Sequence, residues 1–140
     1  MKSLNKLLIF SLIISACAEN NPNEPGSNTP VLIDLYHGTV NLDPQSYWYL
    51  KFKALEGDSI YFEAIVKVGN DISYAFWCDS INFERWKNNQ NAQLRDYQEA
   101  ITSYSFKASL SEGTYYVVLG NSAMFSSKEY WIRGYIRGLR

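Results

Sequence analysis

The sequence has little of the side-chain chemistry that most catalytic and metal sites require. Its 140 residues include two cysteines and one histidine, His37. A zinc site needs clustered Cys and His ligands, and so few cannot build one. A nucleophilic triad would require His37 to meet Cys78 in the fold, and no motif in the sequence brings them together. The sequence therefore predicts a protein that is not an enzyme and holds no metal or cofactor.

Long apolar runs are absent as well. The run from Leu7 to Ile14 covers roughly 12 Å as a helix, whereas the hydrocarbon core of a bilayer is about 30 Å thick. No later segment is apolar for long enough to cross a membrane. Because Lys2 and Lys6 precede the run, the first residues have the layout of a secretory signal instead.

The signal ends in Ile14-Ser15-Ala16-Cys17. This motif resembles the lipobox of bacterial lipoproteins, in which a branched apolar residue and two small residues precede the lipidated cysteine. The resemblance implies that residues 1–16 are removed and that Cys17 is the lipidation site, which fixes the chain to the membrane of the bacterial cell envelope. Ala18, where an aspartate would retain the protein at the inner membrane, favours the outer membrane. The alternative is an ordinary signal cleaved after Ala16.

The charge balance excludes one class of partner. Removing residues 1–16 takes away Lys2 and Lys6 and no acid, so 13 Lys and Arg become 11 against 14 Asp and Glu, a net charge of −3. A chain of this charge is not expected to bind nucleic acid, nor an anionic membrane surface as its main partner.

The organisation after the signal is simple. Residues 17–30 are polar and rich in Asn and Pro, and they predict a disordered tether that spans on the order of 20 Å. Residues 31–140 have the length of one domain, which can bury a sufficient core without disulfides. Cys78 is then the one thiol left in the mature chain, and we expect it to be a small buried residue.

Strand patterns dominate this domain. Apolar and polar residues alternate over Ser46–Ala54 and Ser59–Val68, and the turn Leu55–Asp58 between them predicts a hairpin. Further strands are predicted at Val31–Tyr36, Ile72–Cys78, Ile101–Leu110, Thr114–Leu119 and Glu129–Arg137. The segment Asp79–Tyr97 is irregular and is treated as the longest loop, although its pattern leaves helix, strand and loop open. Seven to eight antiparallel strands without long helices predict an all-β, jelly-roll-like sandwich, with a closed barrel as the alternative.

Turn and strand motifs from Tyr47 to Asn121 add a family likeness. Leu55-Glu56-Gly57-Asp58, and Leu110-Ser111-Glu112-Gly113-Thr114-Tyr115-Tyr116 further on, resemble the two hairpins of β-sandwiches of the GOLD and bacterial pre-peptidase C-terminal type. The resemblance implies a β-sandwich without catalytic activity that contacts proteins, lipids or polysaccharides.

Outward aromatic residues are the best candidates for a binding surface. Alternation places Tyr47, Tyr49, Trp131 and Tyr135 on outer faces beside cations, and flat rings beside such groups suit the stacking of sugars or contact with a protein. The candidate surface comprises Tyr47, Tyr49, Trp86, Trp131, Arg133 and Tyr135. The alternative is that these rings pack beneath a loop.

Two functions remain open at this point. The first is a lipid-anchored, non-catalytic envelope module that binds an unidentified protein or glycan. The second is a structural or inhibitory lipoprotein that plugs a hydrolase with a protruding rigid loop, for which Asp79–Tyr97 is the first place to look.

Overall fold

The computed structural model describes residues 29–140 as two antiparallel four-stranded sheets packed face to face. The predicted all-β sandwich is therefore confirmed. The predicted signal peptide 1–16, the lipidation site Cys17 and the tether up to residue 28 lie outside the described residues. The elements are β1 (Pro30–Leu42), β2 (Ser46–Ala54), β3 (Ser59–Val68), β4 (Ile72–Asp79), α1 (Ser80–Lys87), β5 (Arg95–Ile101), β6 (Ser103–Ser109), β7 (Gly113–Asn121) and β8 (Lys128–Leu139).

The strand orders are β1-β8-β3-β6 in one sheet and β2-β7-β4-β5 in the other. Between successive strands the chain changes sheet every time except from β4 to β5, which pair with each other. This alternation between two four-stranded sheets is the jelly-roll arrangement.

The predicted hairpin between β2 and β3 is wrong, because the two strands lie in different sheets. The turn Leu55–Asp58 crosses from one sheet to the other, with Gly57 at φ +83°. A second crossing, from β6 to β7, lies beside it: the Gly57 N–H donates to the Leu110 carbonyl at 3.2 Å. The two hairpins expected from the family likeness are therefore two adjacent crossings between the sheets.

The core between the sheets is built from alternate residues of each strand. Trp48, Leu50 and Phe52 of β2 face inward, and Ile132 and Ile136 of β8 meet them from the opposite sheet. These residues are 4% exposed or less, as the alternation predicted. The strand ends follow the pattern less closely, since β1 was predicted to end at Tyr36 and continues to Leu42.

The segment Asp79–Tyr97 is not a long loop. Asp79 caps the short helix α1 by accepting a hydrogen bond from the Asn82 N–H at 2.8 Å. The helix buries Phe83, which is 2% exposed, and the chain then enters β5 at Arg95. A helix of two turns is too short to be identified by a periodic pattern. The main sign of α1 in the sequence is the spacing of Phe83 and Trp86, which are three residues apart.

No helix within residues 29–140 has the length and apolar character needed to cross a membrane.

Candidate functional site

The helix α1 covers the outer face of the β2-β7-β4-β5 sheet. Phe83 stacks on Tyr116 with ring centroids 3.9 Å apart and planes 6° apart. Trp86 meets Tyr47 edge-on at 5.0 Å, and Tyr49 lies 5.3 Å from Phe83. Tyr47, Tyr49 and Trp86 are half-buried in this second apolar cluster. Of the six candidate binding residues, Tyr47 and Tyr49 therefore pack beneath the helix, and Trp86 packs onto them from the helix itself.

Within residues 29–140, no helix covers the outer face of the β1-β8-β3-β6 sheet. Trp131, Arg133 and Tyr135 alternate with buried residues along β8 and point outward from this sheet. Trp131 is half-buried and meets His37 of β1 edge-on, with ring centroids 5.8 Å apart. The six candidates thus divide between opposite faces of the sandwich and do not form one surface.

A stacked tyrosine pair lies at the centre of the open face. Tyr61 of β3 is the register partner of Tyr135 on β8, and their ring centroids are 4.9 Å apart with planes 9° apart. Because the rings face one another across the strands, they offer a ligand their edges and hydroxyls more than their flat surfaces. The sequence predicted flat rings open to a ligand, whereas in the structure the rings of Tyr61 and Tyr135 stack on each other.

Three cations surround this tyrosine pair. The Lys107 ammonium lies 4.9 Å from the centroid of the Tyr61 ring, and the Arg133 guanidinium lies 5.4 Å from that of Tyr135. Arg137 is also close enough to Tyr61 to act on its hydroxyl, and a hydrogen bond from Lys107 contributes most to holding the pKa of Tyr61 below its ordinary value. We call Tyr61, Lys107, Arg133, Tyr135 and Arg137 together the cation–tyrosine face.

The cations on this face form no ion pair with the residues that the structure describes. Among residues 29–140, ion pairs form at Glu84, Asp71 and Asp58, and none of these involves Lys107, Arg133 or Arg137. Arg133 lies directly opposite Glu63 in the register, yet the two do not form an ion pair. The face therefore carries three cations without an ion pair to the described residues, on a chain that is acidic overall.

A groove of about 500 Å³ runs over the same face. Its polar lining consists of Tyr61, Glu63, Ser105, Lys107, Arg133 and Tyr135. Each of its two register rows holds one cation, because Arg133, Glu63 and Ser105 share one row and Tyr135, Tyr61 and Lys107 share the next.

The two residues considered for nucleophilic catalysis lie far apart in the fold. His37 is exposed on β1 of the open sheet, and Cys78 is 1% exposed beneath α1 on the other sheet. Burial and the neighbouring Asp79 carboxylate raise the pKa of the Cys78 thiol to about 12, so this thiol is an inert, buried group at neutral pH. In the part of the chain described here, no three His, Cys, Asp or Glu side chains are grouped so as to hold a metal ion.

A second exposed feature is the loop between β7 and β8. Phe125 at its tip is 91% exposed, and Met124 is 67% exposed. The loop is held at its base by Asn121, which is 1% exposed. The Asn121 side chain hydrogen-bonds the backbone of Leu42, Asp43, Ala123 and Ser126 at 2.9–3.2 Å. Met124 and Phe125 are thus exposed on a loop whose base is held by the hydrogen bonds of Asn121.

Sequence reasoning omitted Tyr61, Glu63 and Lys107 from the candidate surface. Alternation had assigned Tyr61 and Glu63 to an outer face, but it did not show which strands lie beside β3. Lys107 lies opposite Tyr61 only because β6 pairs with β3 across a sequence separation of more than thirty residues. The only available signal was the outward position of each residue on its own strand.

Comparison with known proteins adds no relative to this description: no protein-family model matches the chain, and no curated protein matches it significantly.

Proposed function

We propose that this protein is a non-catalytic binding module, anchored by lipid in the bacterial cell envelope, whose cation–tyrosine face binds an envelope protein or glycan. The observation that supports this most is the contrast between the two outer faces. One is covered by α1. The other exposes Lys107, Arg133 and Arg137 around a stacked tyrosine pair, with no ion pair to them from within residues 29–140.

Aromatic and Arg side chains are the residues that contribute most at binding surfaces. Arg133 and Tyr135 lie on β8, which has a neighbour on each side, β1 and β3. A site on a central strand is held more precisely than a site on a loop. The face therefore combines suitable residues with a rigid support.

Capture from envelope extract tests this proposal. The bait is the mature chain, and the partner is expected to be enriched by the wild type and lost with the double variant Lys107→Met and Arg133→Met. Lys53→Met serves as the matched control, because Lys53 is exposed on a strand of the opposite sheet. Equal enrichment by the double variant and the wild type would refute this use of the face.

The anchor is proposed from the motif Ile14-Ser15-Ala16-Cys17, with the outer membrane as its location. Two or more acyl chains give stable attachment, whereas one chain gives only marginal binding. Cys17→Ser should abolish metabolic labelling with palmitate, and Cys78→Ala should leave the label unchanged, since Cys78 is buried. A label that persists in the Cys17→Ser chain would overturn the lipoprotein assignment.

The loop of Met124 and Phe125 supports a second candidate function, that of an inhibitory lipoprotein that inserts the loop into a hydrolase. The loop lies at the end of the sandwich away from residue 30, because Lys128 pairs with Leu42 and Leu139 pairs with Pro30. An aromatic residue on a preorganised loop binds with little loss of conformational entropy.

The same capture experiment separates the two functions. Phe125→Ser should remove an enriched hydrolase if the loop is the contact, while the Lys107 and Arg133 double variant retains it. The opposite pattern supports the cation–tyrosine face.

A further inference from the structure

The groove on the cation–tyrosine face indicates the chemical class of its ligand, an inference that rests on the proposed binding function. Its volume of about 500 Å³ lies within the range of small-molecule sites, which is roughly 300–1,000 Å³. The groove is open along the sheet, so an elongated ligand can enter it without any movement of the backbone.

The positive groups in the groove are arranged for a carboxylate. The Arg133 guanidinium packs against the Tyr135 ring at 5.4 Å and makes no ion pair with the described residues, although Glu63 is its register partner. A guanidinium held in this way presents N–H donors that match the two oxygens of a carboxylate. Lys107 adds a second cation on the other side of the tyrosine pair, because it lies opposite Tyr61.

The acceptors in the groove call for a ligand that also donates hydrogen bonds. Glu63 and Ser105 are register partners in the row next to that of Tyr61 and Lys107, and both line the groove. Residues two apart on a strand are separated by about 7 Å, so the two rows, each with one cation, are spaced on the scale of one sugar ring. Hydroxyl groups can donate to the Glu63 carboxylate and to the Ser105 hydroxyl, whereas the carboxylates of a glutamate peptide offer only acceptors.

We propose that the groove binds an acidic saccharide, with carboxylates of separate uronic acid residues on Arg133 and on Lys107 and ring hydroxyls on Glu63 and Ser105. The exposed edges of Tyr61 and Tyr135 then contact the C–H groups of the sugar. Such a ligand satisfies both kinds of group in the groove, which neither a neutral sugar nor an acidic peptide does.

The test is a calorimetric titration of the full mature chain, purified in non-ionic detergent, with three probes. These are an oligogalacturonate, its methyl ester, and a glutamate peptide of equal charge. The oligogalacturonate should bind, and its affinity should fall as salt rises. The methyl ester, which keeps every ring and removes the charge, should bind at least about tenfold more weakly, as expected for loss of a charged hydrogen bond.

Variants locate the binding. Arg133→Met and Glu63→Gln should each weaken oligogalacturonate by about tenfold, through loss of the carboxylate contact and of the hydroxyl acceptor. Lys53→Met and Phe125→Ser should leave it unchanged. All variants should keep the unfolding midpoint of the wild type, since Arg133 and Glu63 are exposed.

Three results would overturn the acidic saccharide: no binding of oligogalacturonate, equal binding of its ester, or equal binding of the peptide. The binding function itself fails separately. If the Lys107 and Arg133 double variant still loses the captured partner while oligogalacturonate does not bind, the binding module stands and only the ligand class is wrong. If the double variant keeps the captured partner and oligogalacturonate does not bind, both the binding function of this face and the acidic saccharide are refuted.

Discussion

Asp58 and Arg140 form a two-point ion pair that ties the crossing from β2 to β3 to the C-terminal residue. The guanidinium donates to Oδ1 at 2.8 Å and to Oδ2 at 2.9 Å. Asp58 is 1% exposed, and its Oδ2 also accepts a hydrogen bond from the Leu55 N–H at 2.8 Å. The carboxylate therefore fixes the turn that leads the chain from β2 into the opposite sheet.

Breaking this pair should destabilise the fold. Arg140→Met leaves a buried carboxylate without its cation, and we expect a loss of about 3 kcal/mol in the free energy of unfolding. A double-mutant cycle with Asp58→Asn, measured by urea denaturation, should give a coupling energy of about 1–3 kcal/mol. The control Lys53→Met should stay within about 0.5 kcal/mol of the wild type. A coupling energy near zero would show that the pair contributes nothing.

The contribution of Asp58 should also depend on pH. Burial raises the pKa of Asp58, but the hydrogen bonds from Arg140 and from the Leu55 N–H outweigh burial, so the net shift is downward. A carboxyl whose pKa is lowered by folding stabilises the native state above its unfolded pKa, about 3.9, and loses that effect as pH falls through the folded value. The stability difference between the wild type and Asp58→Asn should therefore be larger at pH 7 than at pH 3. An equal difference at the two pH values would contradict this.

Tyr104 and Tyr130 predict opposite effects for the same substitution. The Tyr104 hydroxyl is buried and has no hydrogen-bond partner among residues 29–140. The Tyr130 hydroxyl donates to the Gly120 carbonyl at 3.0 Å. Tyr104→Phe should raise the free energy of unfolding by about 1 kcal/mol, and Tyr130→Phe should lower it by about 1 kcal/mol. Thermal unfolding of both variants under one buffer condition decides the matter, and destabilisation by Tyr104→Phe would refute the prediction.

Asn121 should determine the rigidity of the loop that bears Phe125. Its side-chain amide forms hydrogen bonds with four backbone groups. Asn121→Ala is therefore expected to lower the free energy of unfolding by about 2–4 kcal/mol. Asn121→Asp should cost more, because a carboxylate oxygen would then face carbonyl oxygens. Amide hydrogen exchange should quicken in residues 122–127 of the Ala variant and remain unchanged in the exposed control Asn41→Ala. Unaltered exchange in the Ala variant would show that Asn121 does not hold the loop.

Gly120 is expected to tolerate no side chain. It pairs with Tyr74 across β7 and β4, and a Cβ atom at this position would overlap the Tyr74 ring. We expect Gly120→Ala to cost about 1–3 kcal/mol through overpacking. Gly113→Ala on the same strand is the matched control, because its Cβ would meet Tyr115 at an ordinary 3.6 Å. Equal stability of the two variants would contradict the close approach of Tyr74.

Much of the fold follows from local pattern. The predicted bounds of β2 and β3 agree with the structure, because alternation of apolar and polar residues is a property of each strand by itself. The burial of Cys78 and the outward positions of Arg133 and Tyr135 were predictable for the same reason. The helix α1 was not, since eight residues are too few to establish a helical period.

The sequence by itself determined the strands, their inward faces and the all-β class, because these depend on neighbouring residues and on burial of one face. Tertiary structure alone decided that β2 and β3 separate into different sheets and that Tyr47 and Tyr49 lie beneath a helix while Tyr135 stays open. It also decided that Tyr61 and Lys107 join the candidate site. Each of these outcomes depends on which strands pair and in which register, and that is set by contacts between residues far apart in the chain, which alternation along one strand does not encode.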